Sequence, residues 1–153
     1  MKVLMVCLGN ICRSPLAEGI LRFKSKEKGI DIEVDSCGTA AYHVGEKPDP
    51  RSVLKANEHD IDISNLRGRQ FSKSDFEYFD HILTMDKYNQ MDILQLAEND
   101  AQRDKVKMIL SYSESTSEKD VPDPYYGGSD GFEKIYQILD KACDVFIEKE
   151  RNE

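Results

Sequence analysis

Cys7, Arg13 and Ser14 share one short segment, Cys7-Leu8-Gly9-Asn10-Ile11-Cys12-Arg13-Ser14, which directly follows the apolar run Val3-Leu4-Met5-Val6. A cysteine attacks as its thiolate, and helix N-termini and adjacent cations lower thiol pKa values. The same N-terminus, with unpaired N–H groups and the positive end of the dipole, suits a phosphate dianion. Arg13 can grip two phosphate oxygens through its planar fork. Leu8, Gly9, Asn10, Ile11 and Cys12 would form the tight loop between nucleophile and cation. The chemistry implied is phosphate-ester hydrolysis through a cysteinyl-phosphate.

Blander readings of the segment fit less well. The apolar run is too short for a signal peptide, and Gly9, Asn10 and Arg13 follow it with no small-residue cleavage site. A lipoprotein site would place a small residue where Val6 stands. A zinc site would need further thiol and imidazole partners at short spacing around Cys7 and Cys12. A buried structural cysteine leaves Gly9, Asn10, Arg13 and Ser14 unexplained.

The elements that must hold this loop alternate along the chain. Val3–Val6 reads as a strand buried on both faces. Pro15 suits the first turn of a helix that follows Ser14, carries Leu16, Ile20, Leu21 and Phe23, and ends near Gly29. Ile32–Cys37 reads as a second strand, and Pro50 opens a helix to about His59. Phe79–Met85 reads as a third strand. A helix from Lys87 to about Glu98 follows, with Tyr88, Met91, Leu94 and Leu96 as its apolar residues. Val106–Leu110 reads as a fourth strand, Ser111–Asp120 as a loop, and the segment from Phe132 to Ile147 as a long amphipathic helix. This order predicts one α/β domain over 1–153: a three-layer αβα sandwich, wound like flavodoxin around a four-stranded parallel sheet with right-handed crossovers. Such sheets bind ligands at the carboxyl ends of their strands, where Cys7 stands.

Composition narrows the setting. The 153 residues suffice for one domain with a proper core. No apolar stretch reaches membrane-spanning length, which predicts a soluble protein that makes no membrane contact. Four cysteines (Cys7, Cys12, Cys37 and Cys143) without a secretory signal predict reduced thiols in the cytoplasm. The net charge of −8 argues against a nucleic-acid partner. It also requires phosphate capture to be local, by Arg13 and the loop amides, against an unhelpful long-range field.

Over nearly its whole length the chain resembles the low-molecular-weight protein-tyrosine phosphatases. Val6–Glu18 matches the family's phosphate loop and first helix, and Asp123-Pro124-Tyr125-Tyr126 matches its general-acid loop. Asp35-Ser36, Gly38-Thr39, Val44-Gly45, Asp49-Pro50-Arg51, Arg69-Gln70 and Met85-Asp86 fall between them in the family's order. The resemblance implies Cys7 as nucleophile, Arg13 as transition-state clamp, and Ser14 as a donor to the Cys7 sulfur. Asp123 would be the acid that protonates the leaving phenolate and then the base that activates water. It implies tyrosine-phosphorylated proteins as partners, inorganic phosphate or other oxyanions as inhibitors, no cofactor or metal, and a monomer or weak self-association. It also implies a protective disulfide between Cys7 and Cys12 after oxidation.

Some roles also have a reading from the residues themselves. A poor leaving group needs a proton donor, and Asp123 between Pro122 and Pro124 sits on stiffened backbone. The alternative is a turn aspartate. Asn10 tolerates left-handed backbone, and in the family it bonds the residue at Ser36. Asp86 resembles a supporting carboxylate, with a helix N-cap before Lys87 as the alternative. Tyr42, Tyr125 and Tyr126 could wall a slot for a phenyl ring, with Leu8 and Ile11 at its mouth; ordinary surface tyrosines are the alternative. Leu66 departs from the family, whose members often carry there a histidine that supports the asparagine. Cys37 stands where alanine is usual and reads, like Cys143, as a small buried residue, while His43, His59 and His81 receive no chemistry.

Three rival functions remain to compare. Arsenate reductases of this fold need a further cysteine pair after the third strand, and residues 82–142 contain none. Protein-arginine phosphatases of the fold carry threonine where this chain has Ile11, and they form the runner-up. A phosphate-binding module without turnover would need neither Cys7 nor Asp123.

Overall fold

The computed structural model describes residues 1–113, 119–125 and 128–151. Strand β1 (Lys2–Cys7) leads into helix α1 (Arg13–Glu27), followed by β2 (Glu33–Gly38) and α2 (Pro50–Asn57). Next come α3 (Asp75–Tyr78), β3 (His81–Thr84), α4 (Lys87–Leu96), α5 (Asp100–Asp104) and β4 (Val106–Met108). A 3₁₀ turn over Ile109–Tyr112 and the long α6 (Ser129–Arg151) complete the described elements.

The strands form one parallel sheet in the order β2-β1-β3-β4. This is the expected flavodoxin-like winding, with β1 held on both sides. The register sets Cys7 opposite Gly38 and Val6 opposite Thr84. Alternation along β1 feeds two cores. Val3, Met5 and Cys7 pack with Leu16, Ile20, Leu139 and Phe146 under α1 and α6. Leu4 and Val6 pack on the opposite face with Phe71, Phe76, Ile82 and Ile93. Helices on both faces and the sheet between them give the three expected layers. No helix among the described residues is long and apolar enough to cross a membrane.

Several elements differ from their sequence reading. The four-residue α3 and five-residue α5 were not anticipated, because little more than one turn leaves no readable periodicity. In α4, Tyr88, Met91 and Leu96 are exposed; the buried positions are Asn89 and Ile93. Asn89 faces inward because its side chain closes a capping box with Asp86. The fourth strand stops at Met108, where the chain tightens into the 3₁₀ turn. Of the polar stretch expected to loop over Ser111–Asp120, residues 114–118 lie outside the described residues.

Candidate active site

Cys7 is the last residue of the central strand β1, and α1 opens six residues later. Between them the chain curls tightly enough to need a left-handed residue, which Asn10 supplies at φ 59°. Gly38, the end of β2, passes beneath the curl: a Cβ there would stand 2.6 Å from the Leu8 carbonyl oxygen. Cys12 occupies the N-cap position of α1, and no side chain caps that helix among the described residues. The uncapped amide end of a 15-residue helix is thereby left to the loop and its ligand.

A buried network fixes the loop. The Asn10 amide N–H points at Cys7 Sγ (3.3 Å). Asn10 Nδ2 donates to Ser14 Oγ (2.8 Å) and to Ser36 Oγ (3.0 Å). The Ser14 proton can then turn to Cys7 Sγ, 3.0 Å away. Ser36 Oγ donates to Glu18 Oε1 (2.7 Å), and the other oxygen of Glu18 pairs with Arg22. Burial raises the pKa of Glu18, against the opposing pull of Ser36 and Arg22. The support that a histidine would have given from Leu66 comes instead from the backbone: the Arg69 N–H donates to Asn10 Oδ1 (3.0 Å). Arg69 is itself held by Asp35 and Asp75.

Arg13 is 3% exposed and therefore needs partners. Its Nη1 donates to Asp86 Oδ2 (2.7 Å) and to the Val121 carbonyl (3.0 Å). Asp86 uses its other oxygen to cap α4 through the Asn89 N–H, so it both touches Arg13 and serves as a helix N-cap. Asp123 Oδ2 stands 3.8 Å from Arg13 Nη2. Burial alone would lower the Arg13 pKa, but Cys7, Asp86 and Asp123 more than offset it and raise it. The guanidinium is a permanent cation, aimed by two carboxylates and a carbonyl.

These groups converge on a cavity of about 220 Å³ lined by Cys7, Ile11, Cys12, Arg13, Asp123 and Tyr125, among others. Cys7 lies at its base, 2% exposed, while Leu8 and Tyr125 are about 40% exposed at the mouth. Tyr42 also lines it but is 75% exposed, so it forms the outer lip. The inner aromatic wall is His43 with Tyr125, their ring centroids 6.5 Å apart. His43 was given no role from sequence, because an isolated histidine carries no spacing signal. Its Nδ1 lies 2.6 Å from Glu46 Oε2. Tyr126 lies outside the described residues.

The remaining cysteines are free, like Cys7. Burial, then the charges of Asp49 and Cys7, push the Cys12 thiol far above its ordinary value. Burial does the same to Cys37 and Cys143, which fits packing roles. Among the described residues, Glu58, His59 and Glu133 bring ligating atoms within 4.8 Å of one another. Lys55 Nζ already bridges those two carboxylates at 2.7 and 2.9 Å, so a cation is in place there.

The sequence model of low molecular weight phosphotyrosine protein phosphatases matches residues 2–153. The chain belongs to that family. A low molecular weight phosphotyrosine protein phosphatase from Schizosaccharomyces pombe is 43% identical over 143 residues, covering 91% of this chain and 90% of the relative. Among solved structures, a protein tyrosine phosphatase from Entamoeba histolytica superposes with a TM-score of 0.94 at 34% identity, over 99% of this chain and 97% of the other. The Drosophila arginine phosphatase superposes with a TM-score of 0.92 at 32% identity, over 98% of each chain. The fold and the family are thus those expected from the motifs. The fold alone does not separate phosphotyrosine from phosphoarginine.

Proposed function

We propose that residues 1–153 act as one protein-tyrosine phosphatase domain that works through a cysteinyl-phosphate. The observation that carries this reading is the convergence of Cys7, Arg13 and Asp123 on one narrow cavity with an aromatic wall. Arg13 and the loop amides from Leu8 to Ser14 hold the phosphoryl oxygens, so Cys7 Sγ can attack phosphorus in line with the ester bond. That bond breaks as Asp123 gives its proton to the departing phenolate. Asp123, now a carboxylate, takes a proton from water, whose oxygen attacks the cysteinyl-phosphate. The Sγ–P bond breaks, phosphate is released, and the Ser14 hydroxyl receives the returning thiolate. Asn10, Ser36 and Asp86 position these groups.

The substrate follows from depth and walls. Cys7 is buried at 2% exposure while Leu8 and Tyr125, on the same cavity, are about 40% exposed, an arrangement that suits a long phenyl ring better than a short serine side chain. We expect kcat/KM for phosphotyrosyl peptides to exceed that for phosphoseryl peptides by far more than the roughly 10- to 200-fold that one methylene commands. Phosphoarginine is the second reading, favoured by the Drosophila structure; Ile11 at the wall opposes it. Phosphotyrosine should be preferred, with the margin shrinking in Ile11→Thr. Preference of the wild type for phosphoarginine would overturn the substrate assignment.

The partners proposed are tyrosine-phosphorylated proteins in the cytoplasm, with the enzyme acting as a monomer or weak self-associate and inhibited by phosphate-like oxyanions. The cysteine pair on the loop adds redox protection. Peroxide oxidises the Cys7 thiolate to a sulfenic acid, and the Cys12 thiol displaces water from it to form a disulfide. Inactivation should therefore be reversed by dithiothreitol, with a Cys7–Cys12 peptide visible by mass spectrometry. Cys12→Ser should keep most basal activity yet recover poorly. Full recovery of Cys12→Ser would reduce Cys12 to packing.

A further inference from the structure

A second groove, of about 860 Å³, shares Ile11, His43 and Tyr125 with the catalytic cavity and runs outward from its mouth. Its floor is apolar: Pro48 is buried, Val53 is half-buried, and Leu54 is 63% exposed. Both acids on its rim are already engaged. Asp49 caps α2 and pairs with Arg51, and Glu46 holds His43. The bases are not so engaged. Arg67 donates to the carbonyls of Ser64 and Leu66, and no carboxylate among the described residues lies within ion-pair distance of Arg67 or Lys47. On a chain of net charge −8, Lys47 and Arg67 thus set two cations without carboxylate partners among the described residues beside an apolar floor.

We infer that this groove takes the polypeptide flanking the phosphotyrosine, seating an apolar side chain on Val53 and Leu54 and an acidic one against Lys47 and Arg67. Continuity with the catalytic mouth carries the placement: a chain whose phosphorylated ring fills the cavity and which leaves past Ile11, His43 or Tyr125, rather than past Leu8 or Tyr42, enters the groove. Charge carries the sequence preference. The inference rests on the phosphatase reading above and adds specificity to it.

The test compares p-nitrophenyl phosphate, too small to reach the groove, with phosphotyrosyl peptides. One peptide set carries Glu and Leu within three residues of the phosphotyrosine, on its N-terminal or its C-terminal side; the control set carries Lys and Gly there. Wild type should favour one acidic-apolar peptide over its control by about tenfold in kcat/KM at low salt, and less at 0.5 M NaCl. Lys47→Glu with Arg67→Glu should erase or invert that preference, and Leu54→Ser should weaken it about threefold. All variants should hydrolyse p-nitrophenyl phosphate within about twofold of wild type. Equal turnover of both peptide sets by wild type overturns the groove, as does a variant that slows p-nitrophenyl phosphate as much as the peptides. Failure of wild type to hydrolyse any of these substrates would instead remove the phosphatase reading itself.

Discussion

Asn10, Arg13 and Ser14 are all at most 3% exposed on the phosphate loop, whereas Asp123 on the facing loop is 43% exposed. The first loop is tied to α1, β2 and the segment before Gln70 by side-chain and backbone bonds. The acid loop is anchored chiefly at Val121, whose N–H donates to the Met85 carbonyl and whose carbonyl accepts from Arg13. Further on, Asp123 Oδ1 accepts from the Tyr125 N–H, and Arg51 reaches the Tyr125 carbonyl. The difference matches the two tasks proposed for these loops. Charge that develops on phosphoryl oxygens is stabilised best by dipoles already fixed in place and shielded from water. A group that gives up a proton and then takes one from water must stay in contact with solvent. Arg13 joins the two regions through the Val121 carbonyl and Asp123.

The largest expected effect breaks the buried side. Cys7→Ser should lose on the order of 10⁴-fold or more in kcat, as loss of a covalent nucleophile does elsewhere. It should still bind phosphate or vanadate, since Arg13, Asp86 and the loop amides remain. Isothermal titration beside single-turnover assays checks both halves. Retained turnover would remove the covalent mechanism; lost oxyanion binding would mean that the cradle depends on the sulfur.

The exposed side should fail by degrees. Asp123→Asn should cost roughly 10²–10⁴ with substrates whose leaving alcohols have high pKa values. The cost should fall steadily as the leaving group becomes more acidic, because a stable phenolate needs no proton. A leaving-group series measured on both enzymes reads this as a changed slope. Parallel lines would take the acid role from Asp123 and leave it only as the second carboxylate beside Arg13.

How far each region was legible in the sequence divides along the same line. The phosphate loop is local: Cys7, Gly9, Asn10, Arg13 and Ser14 are contiguous, and their types state the chemistry. The strand that carries them is a plain apolar run. Asp123 is different: between two prolines it reads equally as a turn aspartate, and only its match to the family's acid loop singles it out. What the sequence did not reveal is contact between distant segments. The Arg69 N–H that supports Asn10 is a backbone group, and any residue but proline supplies one. Glu18 read as one more letter of a helix; its role needs the Ser36 hydroxyl, eighteen residues away, to be in reach. His43 became a pocket wall only because the turn after β2 folds it back over Gly9. Tyr88, Met91 and Leu96 misled for the opposite reason, since Asn89 and Ile93 take the inward face of α4.

Glu18 allows the smallest and most specific test of why the loop is held so firmly. It is buried behind the loop, and burial raises its folded pKa above that of the unfolded chain. Between those two values the folded protein binds the extra proton, so stability falls as pH rises through the window. The window opens near the ordinary value of 4.5 and extends upward from it. Gln at this position keeps an oxygen to accept from Ser36 and removes the titration. The Tm of wild type minus that of Glu18→Gln should therefore decline as pH rises through that window, then level off once Glu18 is ionised in both states. Taking the difference cancels the other carboxylates, including Asp49, whose pKa is lowered by its bonds with Arg51 and which works in the opposite sense. Turnover by the variant should stay within a few-fold of wild type, because the Asn10–Ser36 bond survives. A difference that is flat, or that grows with pH, would mean that Glu18 is not the buried anchor of the loop.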